Sequence, residues 1–493
     1  MLKDSVKTDG VIDDHARRKF LKMIGAGTVL AATGVHAHAQ SLGDGLSGRW
    51  DRDRFQPQDW ARSRYRNAFI LNPQKLFMNI GTAGSMPREV VRFFNDANTE
   101  YARESLNGYG NFAALRAQIA PGFGVDPDEL VVSYNTSDGM CHAILGIPWQ
   151  AGDCVVTTNH EHPGGNVPLQ IAVDRYGIEV RRIQCPTGND QTAEEYEFLF
   201  QEAIDQARED GLNVRAMMWS SPTFLTGTML PIRRLVDVAI KNELISICDG
   251  AHLPGMMAYD YAALGVDFMS GAGHKWQCGP GSTGILIIRN KIRSEYNQLP
   301  LPAYFPVTTS SYSTNRPRTD GSPGTVAWTE RATGPVATYD IAAVIQSCGS
   351  KHSPMLNALG KACAMWDEIG RDVIEEYILS LSMRLKDNIA SRWGVQALYA
   401  PMDDPELVSA LTSFNPFFYN PELITDAAAS GMFVNRLRDE YGIIVRNTAV
   451  PVIGSSSLHR PIRVSTHLWH SVREVDRLVD ACWDLADKMS RNL

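Results

Sequence analysis

The most informative segment of the 493-residue chain reads Ser270-Gly271-Ala272-Gly273-His274-Lys275-Trp276. It follows an apolar run typical of a strand and precedes a glycine-rich turn at residues 279–284. Small residues at a strand end leave room for an amine that is partly removed from water. Such a lysine can act as a nucleophile towards an aldehyde and then as a base. Because most lysines lie in solvent, Lys275 taken alone leaves an ordinary surface role equally open.

A carboxylate stands at the end of the preceding predicted strand. The apolar run at residues 244–248 ends in Asp249, and open α/β sheets bind their ligands at the carboxyl ends of the strands. Other apolar runs alternate with helical patterns such as residues 232–241, which predicts a doubly wound, mostly parallel α/β sheet. The predicted strands cover residues 130–134, 154–158, 214–219, 244–249, 267–270 and 284–289.

The segments Asp249-Gly250-Ala251-His252 and Gly273-His274-Lys275-Trp276 together resemble the class V aminotransferase family. That family comprises fold-type I pyridoxal-phosphate (PLP) enzymes, among them isopenicillin N epimerases, cysteine desulfurases and kynureninases. The resemblance extends over about residues 77–478. It implies a large domain with a mostly parallel seven-stranded sheet between helices, and a smaller α+β domain.

The resemblance also implies pyridoxal 5'-phosphate as cofactor and assigns residues to it. Lys275 would hold the aldehyde as a Schiff base, and Asp249 would keep the pyridine nitrogen protonated so that the ring withdraws electrons. His252 would lie near the cofactor 3-oxygen, and His274 would help to bind the phosphate.

A phosphate-binding turn is predicted after the strand at residues 130–134. Asn135-Thr136-Ser137-Asp138-Gly139 opens a helix that continues to Leu145. Free amide groups at a helix start attract phosphate. The same residue types also cap ordinary helices, so the residues alone leave both readings open. The resemblance favours Thr136 and Ser137 as phosphate ligands.

Two histidines stand in Thr157-Thr158-Asn159-His160-Glu161-His162-Pro163. The resemblance implies that His162 stacks on the pyridine ring, an arrangement that aromatic faces favour. His160 lies two positions earlier and would point to the same side of a strand. Spacing therefore does not separate the two histidines, and the choice of His162 depends on the match to the family.

Substrate-binding residues are expected at both ends of the matched region. Residues 461–465, Pro-Ile-Arg-Val-Ser, read as a short strand before a helix at 471–489. A planar guanidinium suits a carboxylate, and the resemblance implies that Arg463 binds the substrate α-carboxylate; the alternative is a structural ion pair. Asn79 begins the segment Asn-x-Gly-x-x-Gly-x-x-Pro, which is similar to the family's N-terminal glycine segment. The resemblance further implies a homodimer with shared active sites, in which Thr333 of the neighbouring subunit reaches the phosphate.

The sequence departs from the family pattern in two places. Where many relatives have an asparagine near the cofactor 3-oxygen, residues 221–227 read Ser-Pro-Thr-Phe-Leu-Thr-Gly. Phe224 cannot donate that hydrogen bond, so His252 or Ser221 is expected to replace it. Desulfurases carry a nucleophilic cysteine on a loop before the C-terminal arginine, whereas residues 447–460 contain no cysteine.

The N-terminus predicts export. Ala16-Arg17-Arg18-Lys19-Phe20-Leu21-Lys22 precedes an apolar stretch at residues 23–35 and the small-x-small site Ala37-His38-Ala39. This pattern resembles a twin-arginine signal peptide that is cleaved after Ala39. The stretch is short and glycine-rich for a membrane span; an uncleaved anchor or a basic tail is the alternative. We expect the twin-arginine machinery to carry the folded protein to the periplasm, without stable membrane insertion.

Composition is that of a soluble acidic enzyme. The net charge is −8, and it becomes −10 without residues 1–39, which carry six Lys/Arg and four Asp/Glu. This balance argues against a nucleic-acid partner. Among the eight cysteines, Cys154 and Cys248 lie in apolar runs and Cys482 in a helical pattern, which favours buried thiols over disulfides. No Cys/His cluster has zinc spacing, so no metal is expected.

The chain length suits a large domain with a smaller one. Residues 301–330, rich in Pro, Ser, Thr and Gly, read as a long loop. A helix from about Lys361 to Trp393 is expected in the C-terminal domain. The predicted organisation is a signal peptide at 1–39, a segment at 40–75 that joins the small domain, a large PLP-binding domain at 76–345 and a small domain at 346–493.

We therefore expect an exported enzyme that acts at the α-carbon of an amino acid, or of an amino-acid group on a periplasmic metabolite or peptide. Epimerase-like chemistry, oxidative deamination and oxidative decarboxylation all fit the motifs. Two alternatives stay open. One is a conventional class V aminotransferase that uses a 2-oxo acid, and the other is a PLP-binding protein without catalysis.

Overall fold

The structure is a computed structural model that describes residues 66–109, 112–289, 296–299, 304–310 and 341–491. The predicted signal peptide, most of the segment at 40–75, most of the loop at 301–330 and Thr333 lie outside these residues.

A seven-stranded sheet forms the centre of the described chain, in the order β2-β8-β7-β6-β5-β3-β4. Strand β8 runs antiparallel to both of its neighbours, and the other neighbouring strands are parallel. The strands are β1 (Leu76–Phe77), β2 (Leu130–Ser133), β3 (Asp153–Thr158), β4 (Glu179–Ile183), β5 (Asn213–Ser220), β6 (Ile245–Asp249), β7 (Phe268–Ala272), β8 (Gly284–Ile288), β9 (Leu411–Phe414), β10 (Ile443–Ile444), β11 (Arg446–Asn447) and β12 (Ile462–Ser465).

Helices surround the sheet and continue into the C-terminal region. They are α1 (Arg88–Arg103), α2 (Ala113–Ile119), α3 (Thr136–Leu145), α4 (Pro163–Tyr176), α5 (Ala193–Glu209), α6 (Ile232–Lys241), α7 (Tyr261–Leu264), α8 (Ile341–Gln346), α9 (Ser353–Ile369), α10 (Arg371–Trp393), α11 (Pro421–Ile424), α12 (Ala427–Glu440) and α13 (Val472–Ser490).

Both faces of the sheet are covered by apolar contacts. Alternate residues of one strand enter different core clusters, as Cys154 and Val156 do on one face and Val155 on the other. The cluster around Val155 includes side chains of α3, α4 and α8, and the cluster around Cys154 includes side chains of α5 and α6. Burial on both faces explains why the strands read as continuous apolar runs. The predicted fold class, a mostly parallel sheet between helices, is confirmed.

Two secondary-structure predictions need correction. Strand β4 was not predicted, because it lies at the sheet edge and its sequence, Glu-Val-Arg-Arg-Ile, has only one fully buried residue. The single helix expected from Lys361 to Trp393 is two helices, α9 and α10. Gly370 separates them with a φ of 98°, a conformation that a residue with a side chain rarely adopts.

A second sheet, in the order β11-β12-β9, places the C-terminal residues beside the central sheet. The helix after β12 begins with a capping box, in which Ser471 and Glu474 bond each other's backbone amides. Arg66 donates to Glu474 at 2.6 Å, and the Phe69 and Trp469 rings are 4.8 Å apart. The described part of the predicted 40–75 segment therefore contacts the C-terminal region.

All eight cysteines are free thiols, and Cys154, Cys248 and Cys482 are buried. Among the helices that the structure describes, none combines the length and apolar character that crossing a bilayer requires.

Candidate active site

Lys275 and Asp249 follow neighbouring parallel strands at the same edge of the sheet. Strand β6 ends at Asp249, which lies directly opposite Ser270 of β7, and Lys275 comes three residues after the end of β7. Asp249 is buried, and its Oδ1 accepts a hydrogen bond from the Ala251 amide at 3.0 Å. Burial raises the pKa of Asp249, while the charge of Lys275 lowers it. A buried carboxylate in this position is stabilised by a cationic partner, which a protonated pyridine nitrogen would provide.

The surroundings of Lys275 lower the pKa of its amine, so that part of it is neutral near pH 7. Burial lowers its pKa to about 8; Asp249 opposes the shift, and Arg463 and Arg446 add to it. Its Nζ lies 3.5 Å from Nε2 of His252. With a pKa near 8, about a tenth of the amine is neutral at pH 7, far more than for an ordinary lysine. Lys275 can therefore act as a nucleophile without a separate base to activate it.

The predicted glycine segment packs on the turn that carries Lys275. The Gly84 amide donates to the His274 carbonyl at 2.8 Å, and a Cβ at position 84 would collide with the Lys275 carbonyl oxygen. The half-buried His274 ring lies with Nδ1 3.2 Å from the Thr283 carbonyl. Within the glycine segment, the Asn79 Oδ1 accepts from the Thr82 hydroxyl at 3.0 Å. Asn79 thus stabilises the turn that approaches the lysine.

Arg463 is a buried cation with spare hydrogen-bonding capacity. Its side chain is in β12 and only 1% of the residue is exposed. Nη1 donates to the Phe224 carbonyl at 2.8 Å, whereas Nε and Nη2 have no hydrogen-bond partner among the described residues. Burial, and then the charge of Arg446, lowers the pKa of Arg463 to about 9. Two unpartnered nitrogens of one planar guanidinium suit a carboxylate ligand.

Space for the Arg463 guanidinium comes from Gly81. A Cβ at this position would lie 2.7 Å from Nη2 of Arg463, closer than real Cβ atoms come. The Gly81 amide donates to the Ser465 hydroxyl at 3.2 Å, which ties the glycine segment to β12. The two substrate-binding regions predicted from opposite ends of the chain are therefore in direct contact.

The start of α3 has both of the roles that the sequence left open, an ordinary helix cap and a group of donors that can bind phosphate. Asn135 is the N-cap, and its side chain accepts from the Asp138 amide at 2.9 Å. Thr136 and Ser137 are then the first two helical residues, and their hydroxyls are not used for capping. The buried Thr136 Oγ1 has no partner among the described residues, while Ser137 is exposed. These hydroxyls and the helix amides fit a phosphate group.

The structure separates the two histidines that spacing could not. His162 caps α4 by accepting from the Gly164 amide, and its ring lies edge-on to the Phe224 ring at 4.9 Å. Partial burial, Lys275, Arg446 and Arg463 together lower the pKa of His162 to about 4. His160 is buried elsewhere, with Nε2 3.3 Å from the Pro451 carbonyl. A neutral His162 ring beside the lysine fits the expected stacking role.

Glu161, between these histidines, is a site residue that the sequence prediction missed. Its Oε1 accepts from the Thr158 hydroxyl at 2.6 Å and the Ser220 amide at 3.1 Å, and Oε2 accepts from the Ser220 hydroxyl at 2.5 Å. Ser220 lies opposite Asp249 in the sheet register. Burial raises the pKa of Glu161 to about 7. Glu161 thus joins the ends of β3 and β5 directly before His162. A charged residue at the end of an apolar strand was the available signal.

The two residues expected to replace the family's asparagine differ in their contacts. The Ser221 hydroxyl donates to the Leu230 carbonyl at 2.8 Å and is therefore engaged with the following loop. The buried His252 ring lies edge-on to Trp276 at 5.1 Å, and its Nδ1 has no partner in the part of the chain that the structure describes. His252 is therefore the better placed of the two to contact a ligand at Lys275.

The segment at 447–460, which lacks the desulfurase cysteine, forms a closed loop beside the site. Val450 and His459 form an antiparallel bridge, and the Tyr399 hydroxyl is 2.6 Å from Nδ1 of His459. Val450 and Val452 pack in a small apolar cluster with Phe224. Apolar side chains of this loop therefore pack against Phe224, and residues 447–460 contain no thiol.

Comparisons with known proteins agree with this geometry. Residues 89–326 match the family described as Aminotransferase class-V. The chain is 25% identical over 431 residues to isopenicillin N epimerase of Streptomyces clavuligerus, covering 86% of this chain and 97% of that protein.

Two solved structures share the fold. One is a mutant of C-DES with glycine covalently linked to the PLP cofactor, with a TM-score of 0.61, 22% identity, and coverage of 86% of this chain and 100% of that chain. The other is an apo cysteine desulfurase from Thermococcus onnurineus NA1, with a TM-score of 0.65, 18% identity, and coverage of 86% and 97%.

Proposed function

Because the chain belongs to the class V aminotransferase family of PLP-dependent enzymes, we propose that it is an exported enzyme acting at the α-carbon of an amino acid or of an amino-acid group. The substrate would be a periplasmic metabolite or peptide. One observation carries this proposal: the partly neutral amine of Lys275 shares a site with a buried carboxylate, Asp249, and with the unpartnered guanidinium nitrogens of Arg463.

The residues of the site fit pyridoxal 5'-phosphate. When bound, this cofactor supplies an aldehyde for amines and a ring that withdraws electrons from the bonds of the amine-bearing carbon. Lys275 would hold the aldehyde and Asp249 would face the pyridine nitrogen. Thr136 and Ser137 would donate to the phosphate, with the His162 ring against the pyridine. The unpartnered Thr136 hydroxyl supports this assignment, since it needs a hydrogen-bond acceptor that the described chain does not supply.

Lys275 and Arg463 would have different roles towards the substrate, proton transfer and carboxylate binding. Arg463 would bind the α-carboxylate through Nε and Nη2, which fixes the orientation of the α-carbon. With a pKa near 8, Nζ of Lys275 can both accept a proton from the α-carbon and return it near neutral pH. The neutral His252 ring, 3.5 Å from Nζ, would orient the amine.

Proton removal and return at the α-carbon is the simplest reaction for these residues. Similarity to isopenicillin N epimerase supports chemistry of this kind. The cysteine-free loop at 447–460 argues against a desulfurase that uses a thiol from this loop. A conventional aminotransferase remains the main alternative, and it would require a 2-oxo acid. A PLP-binding protein without catalysis is disfavoured by the two unpartnered guanidinium nitrogens of Arg463, which suit a substrate carboxylate and which holding the cofactor does not need.

Export to the periplasm is supported by the sequence alone. The twin arginines at 17 and 18, the apolar stretch and the small-x-small site at 37–39 fit a route that carries folded proteins. Cofactor could then be inserted before export. Fractionation of cells that express the full chain, compared with an Arg17→Lys, Arg18→Lys variant, tests this part. Retention of the variant in the cytoplasm is expected.

The cofactor proposal is tested by the absorption spectrum of the mature protein, before and after borohydride, with peptide mapping of the product. We expect a band near roughly 420 nm, as is usual for PLP bound to lysine, that borohydride removes while labelling Lys275. Amino acids are then screened with and without 2-oxo acids; turnover that needs a 2-oxo acid supports the aminotransferase. Absence of band and label after incubation with PLP overturns the cofactor assignment.

A further inference from the structure

Two arginines stand directly opposite each other at the edge of the site. Arg446 of β11 pairs with Arg463 of β12 in the antiparallel register. Residues that are opposite in such a pair project from the same face of the sheet, and like charges in this arrangement destabilise it. The sequence analysis chose Arg463 and passed over Arg446, because only the strand pairing brings the two together.

The described chain does not neutralise Arg446. The Arg446 side chain is exposed and forms no hydrogen bond or ion pair with any residue that the structure describes. The two acidic groups of the site are engaged elsewhere: Glu161 with Thr158 and Ser220, and Asp249 with the Ala251 amide. A cross-strand pair of arginines without a counter-charge is a place for an anionic ligand.

The charge of Arg446 acts on the interior of the site. It contributes to the lowered pKa values of Lys275, His162 and Arg463. Together with the register opposite Arg463, this places the charge of Arg446 close to these three groups. Arg463 is buried and Arg446 is exposed, so the two arginines lie at different depths, one in the interior and one at the surface.

We propose that Arg446 binds a second acidic group of the substrate, so that the enzyme takes amino acids, or amino-acid groups, that carry a side-chain carboxylate. The α-carboxylate lies on the buried Arg463 and the side-chain carboxylate on the exposed Arg446. This inference rests on the proposed function, because it uses Arg463 as the α-carboxylate site. It adds to that function a substrate class, the acidic amino acids.

Matched pairs of amino acids test the inference. Calorimetric titration of the holoenzyme compares L-glutamate with L-glutamine and L-aspartate with L-asparagine, since each pair has the same size and differs in one charge. For the acidic member we expect about tenfold tighter binding, the effect of one charge-assisted hydrogen bond at an exposed position. Arg446→Gln brings the ratio of the two dissociation constants close to one, and Arg446→Lys keeps part of it.

A surface control separates a specific contact from general electrostatics. Arg473, in the first turn of α13, is also exposed, and its side chain also forms no hydrogen bond or ion pair with the described residues. Arg473→Gln removes the same charge and keeps the wild-type ratio. Equal loss of the ratio in both variants overturns the inference in favour of long-range attraction, which added salt also weakens.

The remaining outcomes each have one meaning. Equal affinity of the wild type for glutamate and glutamine overturns the inference, and so does the absence of binding by either. The proposed function fails separately, by absence of the borohydride label on Lys275. If borohydride labels Lys275 but the enzyme does not prefer acidic amino acids, the assignment as a PLP enzyme stands and only the proposed role of Arg446 is rejected. Acid preference that depends on Arg446 in a protein without the label keeps the anion site and removes the PLP assignment.

Discussion

The Nζ atom of Lys275 lies 3.5 Å from Nε2 of His252, at the edge of the sheet where Asp249 ends the neighbouring strand. Burial lowers the pKa of His252 well below its usual value, so its ring is neutral when it faces the amine. A neutral ring at this distance can accept a hydrogen bond from the Lys275 amine, and it does not take up the proton because the ammonium group has the higher pKa. The reactivity of the lysine is thus controlled by its own pKa.

The rate at which the apoprotein binds PLP should rise with pH around a midpoint near 8, because only the neutral amine of Lys275 reacts with the aldehyde. Asp249 raises the pKa of Lys275 and Arg446 lowers it. Asp249→Asn should therefore move the midpoint to lower pH, and Arg446→Gln should move it to higher pH. Stopped-flow absorption over a pH series measures the midpoints. Shifts of the two variants in the same direction would contradict the assigned charges.

Thr136→Val should weaken PLP binding about tenfold or more. The buried Thr136 hydroxyl has no partner in the described chain, and a hydrogen bond to a charged phosphate contributes roughly 1.5–3 kcal/mol. Titration of the apoprotein with PLP, followed by absorption, gives the affinity. Pyridoxal, which lacks the phosphate, is the matched ligand. If the variant loses affinity for pyridoxal by the same factor, the hydroxyl acts on the fold and not on the phosphate.

The two strands that lead to Asp249 and Lys275 could be predicted because, in each, a continuous apolar run is followed by a residue with a recognisable chemical role. Strands β6 and β7 are buried on both faces, and each leads into a functional residue, Asp249 and Lys275. The sequence pattern therefore predicted both the strands of the sheet and the edge of the sheet at which the site lies. Strand β4 escaped prediction because its edge position allows Glu179 and two arginines among its five residues.

Site residues whose position depends on pairing or on a turn could not be predicted. Arg446 joins the site only through its register with Arg463, and no local pattern contains that register. His160 and His162 are two residues apart and would point to the same side of a continued strand, but the turn after β3 places one beside the Pro451 carbonyl and the other beside the Phe224 ring. Long-range contacts decide each of these cases.

Glu161→Gln should flatten the pH dependence of stability between about pH 5 and 7. Burial raises the pKa of Glu161 to about 7 in the folded protein, compared with about 4.5 for a glutamate in water. Its stabilising contribution is therefore complete below about pH 4.5 and is lost as the pH rises through 7, by roughly 3 kcal/mol in total. Glutamine has no charge to lose. Urea unfolding at pH 5, 6 and 7 measures the difference.

An alanine at the same position gives a separate outcome. Glu161→Ala leaves the hydroxyls of Thr158 and Ser220 without their acceptor and should cost about 1–3 kcal/mol at pH 5, where the glutamine variant is expected to be close to the wild type. If the wild type and Glu161→Gln have the same pH profile, Glu161 is not the group that ionises in this range.

Gly81→Ala should selectively damage substrate binding. The new Cβ would lie 2.7 Å from Nη2 of Arg463 and 3.1 Å from the Leu411 side chain, so the guanidinium has to move. Because Arg463 is buried and fixed by the Phe224 carbonyl, it has little room, and a carboxylate would lose its two aligned donors. We expect amino-acid affinity to fall about tenfold or more while the absorption spectrum of bound PLP is kept, since Lys275 is untouched.

The matched control for this substitution is Gly431→Ala in α12, where an added Cβ meets no atom within 4 Å. It introduces the same methyl group into a helix and should leave amino-acid affinity at the wild-type value, with a small gain in stability from the better helix propensity of alanine. The expected loss is specific to ligands with an α-carboxylate. An amine of similar size without an α-carboxylate should bind Gly81→Ala and the wild type equally well. Equal loss of affinity for that amine would mean that the substitution distorts the lysine turn, and that Gly81 does not act through Arg463.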